Sequence, residues 1–195
     1  MTKIYLASRS SRRKELLQQL RIEFEIIDVN IDETWDGQEQ AGDYVCRLAL
    51  EKARAGRTKV SRPLDILAAD TEVVIDETIL GKPKDRADAI SMLQMLSGRT
   101  HQVYSAVAKV NETEQVVLNI SAVSFKPLSI EECETYCDTG EPLGKAGAYA
   151  IQGRAAAFIT KLEGSYSGVM GLPLEAVREL LKLGANAPVN YRPAV

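Results

Sequence analysis

The segment KIYLASRSSRRKELL, residues 3–17, decides the fold class because an apolar run passes within a few residues into an amphipathic pattern. KIYLA, residues 3–7, predicts a β-strand. SRRKELLQQL, residues 11–20, predicts a helix whose leucines, among them Leu16 and Leu17, recur at the spacing of one buried face. A strand that turns directly into a helix is the opening unit of many α/β proteins.

The start of this helix breaks a charge preference. It carries Arg12, Arg13 and Lys14, whereas a helix N-terminus disfavours each exposed cation by about 0.3 to 1 kcal/mol. A bound anion would compensate for this cost, because unpaired backbone N–H groups, serine hydroxyls and guanidinium groups together suit a phosphate. The nearby hydroxyls belong to Ser8, Ser10 and Ser11. The alternative is a solvated basic turn paired with Glu15, and no GxxxxGK[ST] loop occurs in the chain.

The rest of the chain continues to alternate strands with helices, which favours a sheet covered by helices. FEIIDVN predicts a second strand, a long helix is expected from about Asp43, and RADAISMLQML predicts an amphipathic helix. VYSAVAKV and QVVLNISAVSF predict an antiparallel hairpin. Ser129, with Glu132 three residues later, predicts a capped helix. Near the end, AAFITKL and SGVMGL predict strands, LPLEAVRELLKL predicts a helix, and a polar tail follows.

Asp70 follows the apolar run LDILAA, and TEVVIDE resumes the strand pattern after it. The sequence therefore predicts two strand segments interrupted at Asp70 and Thr71, with the carboxylate at the end of the sheet. An acid there must be solvated, paired or bound to a metal to offset its desolvation. The alternative is an ordinary turn former.

Further charged residues fall in neighbouring loops and helices. Lys82 lies in the turn ILGKPKD, and Asp32 and Glu33 follow the second strand. Acids close to cations suggest Mg²⁺ bridging phosphates, since this ion takes one or two carboxylates plus phosphate oxygens. Lys52, in LEKARAG, is a further candidate phosphate contact, although a lysine on a helix commonly lies on a solvated face.

Composition limits the function classes. The chain has 195 residues, 45% hydrophobic and 26% charged, with a net charge of -3, so we expect one globular unit without a broad surface for nucleic acid or membrane. No apolar stretch approaches a membrane span, and we expect a cytoplasmic protein. The three cysteines predict reduced thiols, with Cys133 and Cys137 on one helix face. The single histidine, His101, excludes a multi-histidine metal site and is expected in a polar loop.

Eight segments occur in the order found in the Maf family of nucleoside triphosphate pyrophosphatases, which the chain resembles along nearly its whole length. They are LASRSSRRKELL, IDE, EKARA, AADTEVV, LGKPKD, SGRTHQVYSAV, EPLGKAGAYAIQG and GSYSGVMGLPL. The resemblance implies one domain over residues 1–195, with a mixed, strongly curved sheet flanked by helices. It also implies two lobes with a cleft between them, as in inosine-triphosphate pyrophosphatases, and a homodimer.

The same resemblance implies hydrolysis of a nucleoside triphosphate between its α and β phosphates, with a divalent cation, Mg²⁺ or alternatively Mn²⁺ or Co²⁺. It makes Asp70 the proton acceptor and Glu33 a second acid, both as candidate metal ligands. Phosphate binding would fall to Ser8, Arg13, Lys52 and Lys82, and base selection to Arg12, Thr71 and Gln152.

KAGAYAIQG is similar to the subgroup acting on dTTP and UTP, and modified pyrimidine nucleotides would be further substrates. The Gln152 amide can pair with the edge of uracil or thymine. The alternatives are a 7-methyl-GTP-preferring enzyme and a nucleotide-binding regulator of septum formation. Three residues depart from the family pattern: Ser11 replaces Pro, Gly144 replaces Asp and Gly168 replaces Asn. We expect the two glycines to loosen loops near the cleft.

Overall fold

The computed structural model describes residues 3–182, which form seven strands and six α-helices. The strands are β1 Lys3–Ala7, β2 Glu23–Ile27, β3 Ile66–Ile75, β4 Thr78–Ile79, β5 Thr100–Val110, β6 Glu114–Phe125 and β7 Ile159–Glu163. The helices are α1 Ser11–Gln19, α2 Ala41–Arg57, α3 Arg86–Leu96, α4 Ile130–Cys137, α5 Tyr166–Met170 and α6 Leu174–Lys182. Two short 3-10 turns lie at Ala146–Ala148 and Arg154–Phe158.

The seven strands form one mixed sheet in the order β2-β1-β3-β5-β6-β7, with β4 paired to β3 outside this path. β1 runs parallel to β2 and β3, and the pairs from β3 to β7 are antiparallel. The predicted hairpin is confirmed as β5 and β6, which pair from Thr100↔Ser124 to Val110↔Glu114. The mixed α/β class predicted from the sequence is therefore confirmed.

Helices cover both faces of the sheet because residues of a strand alternate between its faces. Tyr5 and Ala7 of β1 pack in the same core as the apolar side of α2. Ile4 and Leu6 point the other way, into a core that contains leucines of α1 and α6. A third core, around α3, α4 and the adjoining ends of β5 and β6, forms the other end of the molecule. These cores fix the helices that carry the charged residues.

The predicted helices α1, α2, α3, α4 and α6 are confirmed. Ser129 caps α4 with the expected capping box, in which Ser129 Oγ accepts from Glu132 N and Glu132 Oε2 accepts from Ser129 N. The free thiols Cys133 and Cys137 lie buried on that helix. The polar tail predicted after the last helix lies outside the described residues.

Three sequence predictions were wrong. β3 runs unbroken through Asp70 and Thr71, which pair with Ala106 and Ser105, because ladder pairing with β5 overrides the local turn signal. SGVMGL forms α5 rather than a strand, with Ser165 accepting at the helix start. His101 lies in β5 at 2% exposure, where its Nε2 is 2.9 Å from the Tyr149 hydroxyl, instead of in a polar loop.

One edge of β3 is open between its two partners. β1 pairs there only with Ile66 and Leu67, and β4 pairs with Val74 and Ile75. Within residues 3–182, the intervening stretch of β3 therefore has no ladder partner on that edge. A cleft lies along this stretch, and side chains from both faces of the strand reach it.

Candidate active site

The cleft has a volume of about 600 Å³ and is bounded by four parts of the chain. The turn from β1 into α1 forms the α1 wall, and Lys52 of α2 with the loop after β2 forms the α2 wall. The open edge of β3 is the floor, and the segment around residues 144–152 is the opposite wall. The cleft is lined by all nine residues to which the family resemblance gave a role: Ser8, Arg12, Arg13, Glu33, Lys52, Asp70, Thr71, Lys82 and Gln152. Asp32, the other acid noted after β2, does not line it and accepts from Thr34 N instead. Residues more than a hundred positions apart in sequence are thus brought into one site.

The α1 wall presents polar hydrogens and positive charge. Ser10 caps the helix by accepting from Arg13 N, and buried Ser8 accepts from Ser10 N. Arg13 Nε donates to the carbonyl of Gly171 at 2.8 Å, and a terminal nitrogen reaches Thr71 Oγ1 at 3.5 Å. Burial lowers the Arg13 pKa, and the charge of Asp70 offsets this only in part. Arg13 is thus held by neutral oxygens, which suits it to an incoming anion.

The α2 wall presents a lysine bridged by two acids. Lys52 Nζ lies 2.6 Å from Asp70 Oδ1 and 2.6 Å from Glu33 Oε1. Lys82 Nζ approaches the second oxygen of Glu33 at 3.2 Å. Burial raises the Glu33 pKa, but the hydrogen bonds and charges of the two lysines outweigh it, so the pKa is lowered and the carboxylate stays ionised. Lys52, only 9% exposed, does not lie on a solvated helix face.

Asp70 and Glu72 point to the same face of β3 because they are two residues apart. Each has one buried side-chain oxygen without a hydrogen-bond partner in the described part of the chain, Oδ2 of Asp70 and Oε2 of Glu72. Burial, reinforced by the charge of Asp70, raises the Glu72 pKa to about 8 against the opposing effect of Lys82 and Lys52. The sequence analysis missed Glu72, although alternation along the strand could have placed it beside Asp70.

The opposite wall carries Gln152 on a braced turn. Glu141 accepts from the Tyr136 hydroxyl at 2.8 Å and from Arg154 N at 3.1 Å. A Cβ at Gly153 would meet the Glu141 carboxylate, so a side chain there would displace this bracing group. The exposed Gln152 side chain is thus presented from a backbone fixed on both sides.

Lys145 is a further cleft cation that the sequence analysis missed. Burial and then the charge of Arg12 lower its pKa, and both side chains line the cleft. Tyr149 also lines this end, and its hydroxyl meets His101. Burial lowers the His101 pKa to about 4, so this imidazole is neutral near pH 7.

The two glycines that depart from the family pattern differ in their surroundings. Gly168 lies within α5, where a Cβ would come 2.8 Å from Asn119 Oδ1, so it is closely packed rather than part of a loosened loop. Gly144 lines the cleft at a φ of 72°, with open space where a Cβ would point. Ser11 is the first residue of α1, as expected.

The donor set also fits a divalent cation shared with phosphate. Residues 3–182 contain no group of three His, Cys, Asp or Glu side chains arranged to hold a metal ion. Mg²⁺ bound together with phosphates needs only one or two carboxylates. The unpartnered Oδ2 of Asp70 is such an oxygen, and it lies beside the cations that would bind phosphate.

The fold and the cleft define a mixed α/β protein with an acid-containing anion site. The chain belongs to the Maf-like protein family, whose model matches residues 3–183. It is 52% identical over 182 residues to a nucleoside triphosphate pyrophosphatase of Xylella fastidiosa (strain M23), covering 91% of this chain and 96% of the relative. It is 50% identical over 182 residues to a dTTP/UTP pyrophosphatase of Salmonella typhimurium, covering 93% and 92%.

Two solved structures are similar in fold at low sequence identity. A nucleoside-triphosphatase / dITP/XTP pyrophosphatase from Mycobacterium abscessus matches with a TM-score of 0.48 and 19% identity over 93% of this chain and 94% of that one. The Ham1 protein of Staphylococcus aureus matches with a TM-score of 0.47 and 14% identity over 64% and 72%. No helix in residues 3–182 is both long and apolar enough to span a membrane.

Proposed function

We propose that this protein hydrolyses dTTP and UTP, and modified pyrimidine nucleotides of the same shape, to the nucleoside monophosphate and pyrophosphate. One observation carries the proposal. The Lys52 ammonium lies 2.6 Å from a carboxylate oxygen of both Asp70 and Glu33, and Arg13 lines the same cleft. Relatives about half identical over most of the chain bear the names of such enzymes. A paired acid beside phosphate-binding cations suits hydrolysis rather than binding alone, which disfavours a pure regulator of septum formation.

The triphosphate would lie along the open edge of β3. Arg13, the Ser8 hydroxyl and the N–H groups at the start of α1 would hold its oxygens from one side, and Lys52 and Lys82 from the other. These contacts position the phosphates and stabilise charge that develops in the transition state, which supplies most of the rate in phosphoryl transfer.

Asp70 would activate the attacking water. The water oxygen bonds to the α-phosphorus while the bond from that phosphorus to the α–β bridging oxygen breaks, and the bond's electron pair leaves with pyrophosphate. Asp70 takes the proton on one lone pair of its free oxygen, Oδ2, whose other lone pair is left for the cation, while Lys52 fixes Oδ1. Glu33 keeps Lys52 and Lys82 in place, since each of its oxygens accepts from one of these ammonium groups.

A divalent cation, Mg²⁺ or alternatively Mn²⁺ or Co²⁺, is part of the proposal. Asp70 would hold it. The family resemblance makes Glu33 the second candidate ligand, but both of its oxygens already face lysine ammonium groups. When bound, the cation would neutralise phosphate charge and lower the pKa of a coordinated water.

Base selection is assigned to the far end of the cleft. The Gln152 amide offers one donor and one acceptor, which complement the edge of uracil or thymine, and the braced turn fixes its position. Arg12 and Thr71 line the same cleft and would shape the pocket around the base.

A nucleotide panel tests the activity. Purified protein with Mg²⁺ is given dTTP, UTP, 7-methyl-GTP and ITP, and pyrophosphate release is measured. We expect the highest kcat/KM for dTTP and UTP. A preference for 7-methyl-GTP would support the alternative enzyme, and no release from any nucleotide would contradict the proposal.

Three further expectations belong to the same proposal: one domain spanning residues 1–195, assembly as a homodimer and a cytoplasmic location. Light scattering after size exclusion measures the mass in solution. A mass of about twice the 21.4 kDa chain is expected, and a monomer at assay concentrations would contradict the dimer.

A further inference from the structure

Glu72 is an acidic residue that the proposed phosphate chemistry leaves without a role. It is 9% exposed, lines the cleft and lies two residues after Asp70 on the same face of β3. An ionised carboxylate in such a place is costly unless a cation or hydrogen-bond donors satisfy it. Within residues 3–182 no ion pair forms with Glu72, and its Oε2 has no hydrogen-bond partner.

The nearby cations are already engaged by other acids. Lys52 contacts Asp70 and Glu33, and Lys82 contacts Glu33. Both oxygens of Glu33 therefore face ammonium groups, which makes Glu33 a poorly available ligand for a metal ion. Asp70 and Glu72 differ from it because each keeps one buried oxygen that no group in the described part of the chain contacts as a hydrogen-bond partner.

We propose that Glu72, together with Asp70, binds a divalent cation in the cleft. Two carboxylates are the number that Mg²⁺ or Mn²⁺ takes when phosphate oxygens and water complete its coordination. The inference deepens the proposed function and rests on it, because the substrate's phosphates would supply the remaining oxygens. Glu33 then acts as the partner of the two lysines rather than as a ligand.

Metal binding is measured directly, without turnover. The probe is Mn²⁺, whose free concentration is followed by electron paramagnetic resonance, with the protein alone and with a non-hydrolysable α,β-imido analogue of dUTP. We expect Glu72→Gln to raise the Mn²⁺ Kd by roughly tenfold or more in both states. The matched control is Glu112→Gln, which removes the same charge from an exposed turn and should leave the Kd unchanged.

A second pair of variants separates ligation from loss of charge. Glu72→Cys should bind Cd²⁺ with a sulfur-to-cadmium charge-transfer band, because a coordinating thiol is deprotonated and soft metals prefer it. Glu112→Cys and the parent protein, whose Cys46, Cys133 and Cys137 are buried away from the cleft, should not show this band. Thermal unfolding of each variant reports whether the fold is retained.

The outcomes distinguish the two proposals. If the parent enzyme releases pyrophosphate but Glu72→Gln keeps its Mn²⁺ affinity, the assignment of Glu72 is overturned and the proposed function stands. A Glu33→Gln variant that weakens Mn²⁺ binding more than Glu72→Gln would also overturn it. If the parent protein binds Mn²⁺ through Glu72 but cleaves no nucleotide, the metal site stands and the proposed function fails.

Discussion

The α1 wall and the α2 wall of the cleft satisfy their charges in different ways. On the α2 wall, Lys52 is neutralised within the protein by Asp70 and Glu33, each at 2.6 Å. On the α1 wall, Arg13 is held by the Gly171 carbonyl and the Thr71 hydroxyl, which leave its charge in place. The α2 wall therefore positions the groups proposed to react, whereas the α1 wall keeps a positive charge available for the ligand. Substitutions on the α2 wall should therefore act mainly on the rate of hydrolysis, and substitutions on the α1 wall mainly on recognition of the nucleotide.

The largest effect is expected from Asp70→Asn on the α2 wall. The amide keeps the shape of the side chain but cannot take a proton from water, so kcat should fall by about 10³-fold or more. Affinity for the non-hydrolysable α,β-imido dUTP, measured without a divalent cation, should remain, since Arg13 and Ser8 are untouched. Pyrophosphate release and calorimetric titration measure the two quantities. A variant with full activity would remove Asp70 from the role of base.

Arg13→Ala on the α1 wall should have the next largest effect. Loss of a guanidinium that binds phosphate should reduce kcat/KM by about 10²-fold for every nucleotide. Steady-state kinetics across the nucleotide panel measures this, and Arg13→Lys should recover only part of it because lysine lacks the planar fork.

The neighbouring Arg12→Ala is the matched control, since it removes the same group from the same helix turn. It should alter the ranking of nucleotides rather than lower all of them equally. Equal, uniform losses for both variants would contradict the division between phosphate and base.

The smallest effect is expected at the Gln152 turn. Gln152→Ala should cost dTTP and UTP about 1 to 3 kcal/mol of transition-state binding, because the base edge loses its partner. The kcat/KM values for other nucleotides should change little, so the preference for dTTP and UTP over them becomes smaller. A loss shared by all nucleotides would instead show that the residue supports the cleft generally.

Sequence patterns predicted the elements that depend on local periodicity. Residue spacing predicts the apolar faces of α1 and α2, the β5–β6 hairpin and the Ser129 cap, and the structure confirms each of them. The cationic start of α1 and the acid after β2 also pointed to the cleft, and the family resemblance added Thr71 and Gln152 to it.

The missed features depend on tertiary pairing. The local sequence at Asp70 resembles a turn, yet β3 continues through this residue because it pairs with β5. His101 follows polar residues but enters an aromatic cluster with Phe125 and Tyr149, distant in sequence. Glu72 becomes notable only once burial and the absence of a partner in the described residues are known.

The open edge of β3 also bears on solubility. Unpaired strand edges invite pairing with another polypeptide and so promote aggregation. Here the edge is recessed between walls that carry Arg13, Lys52 and Lys82, so another β-strand could dock only by entering the cleft and desolvating these charges. The charged groups proposed to bind the nucleotide therefore also protect the sheet against unwanted strand addition.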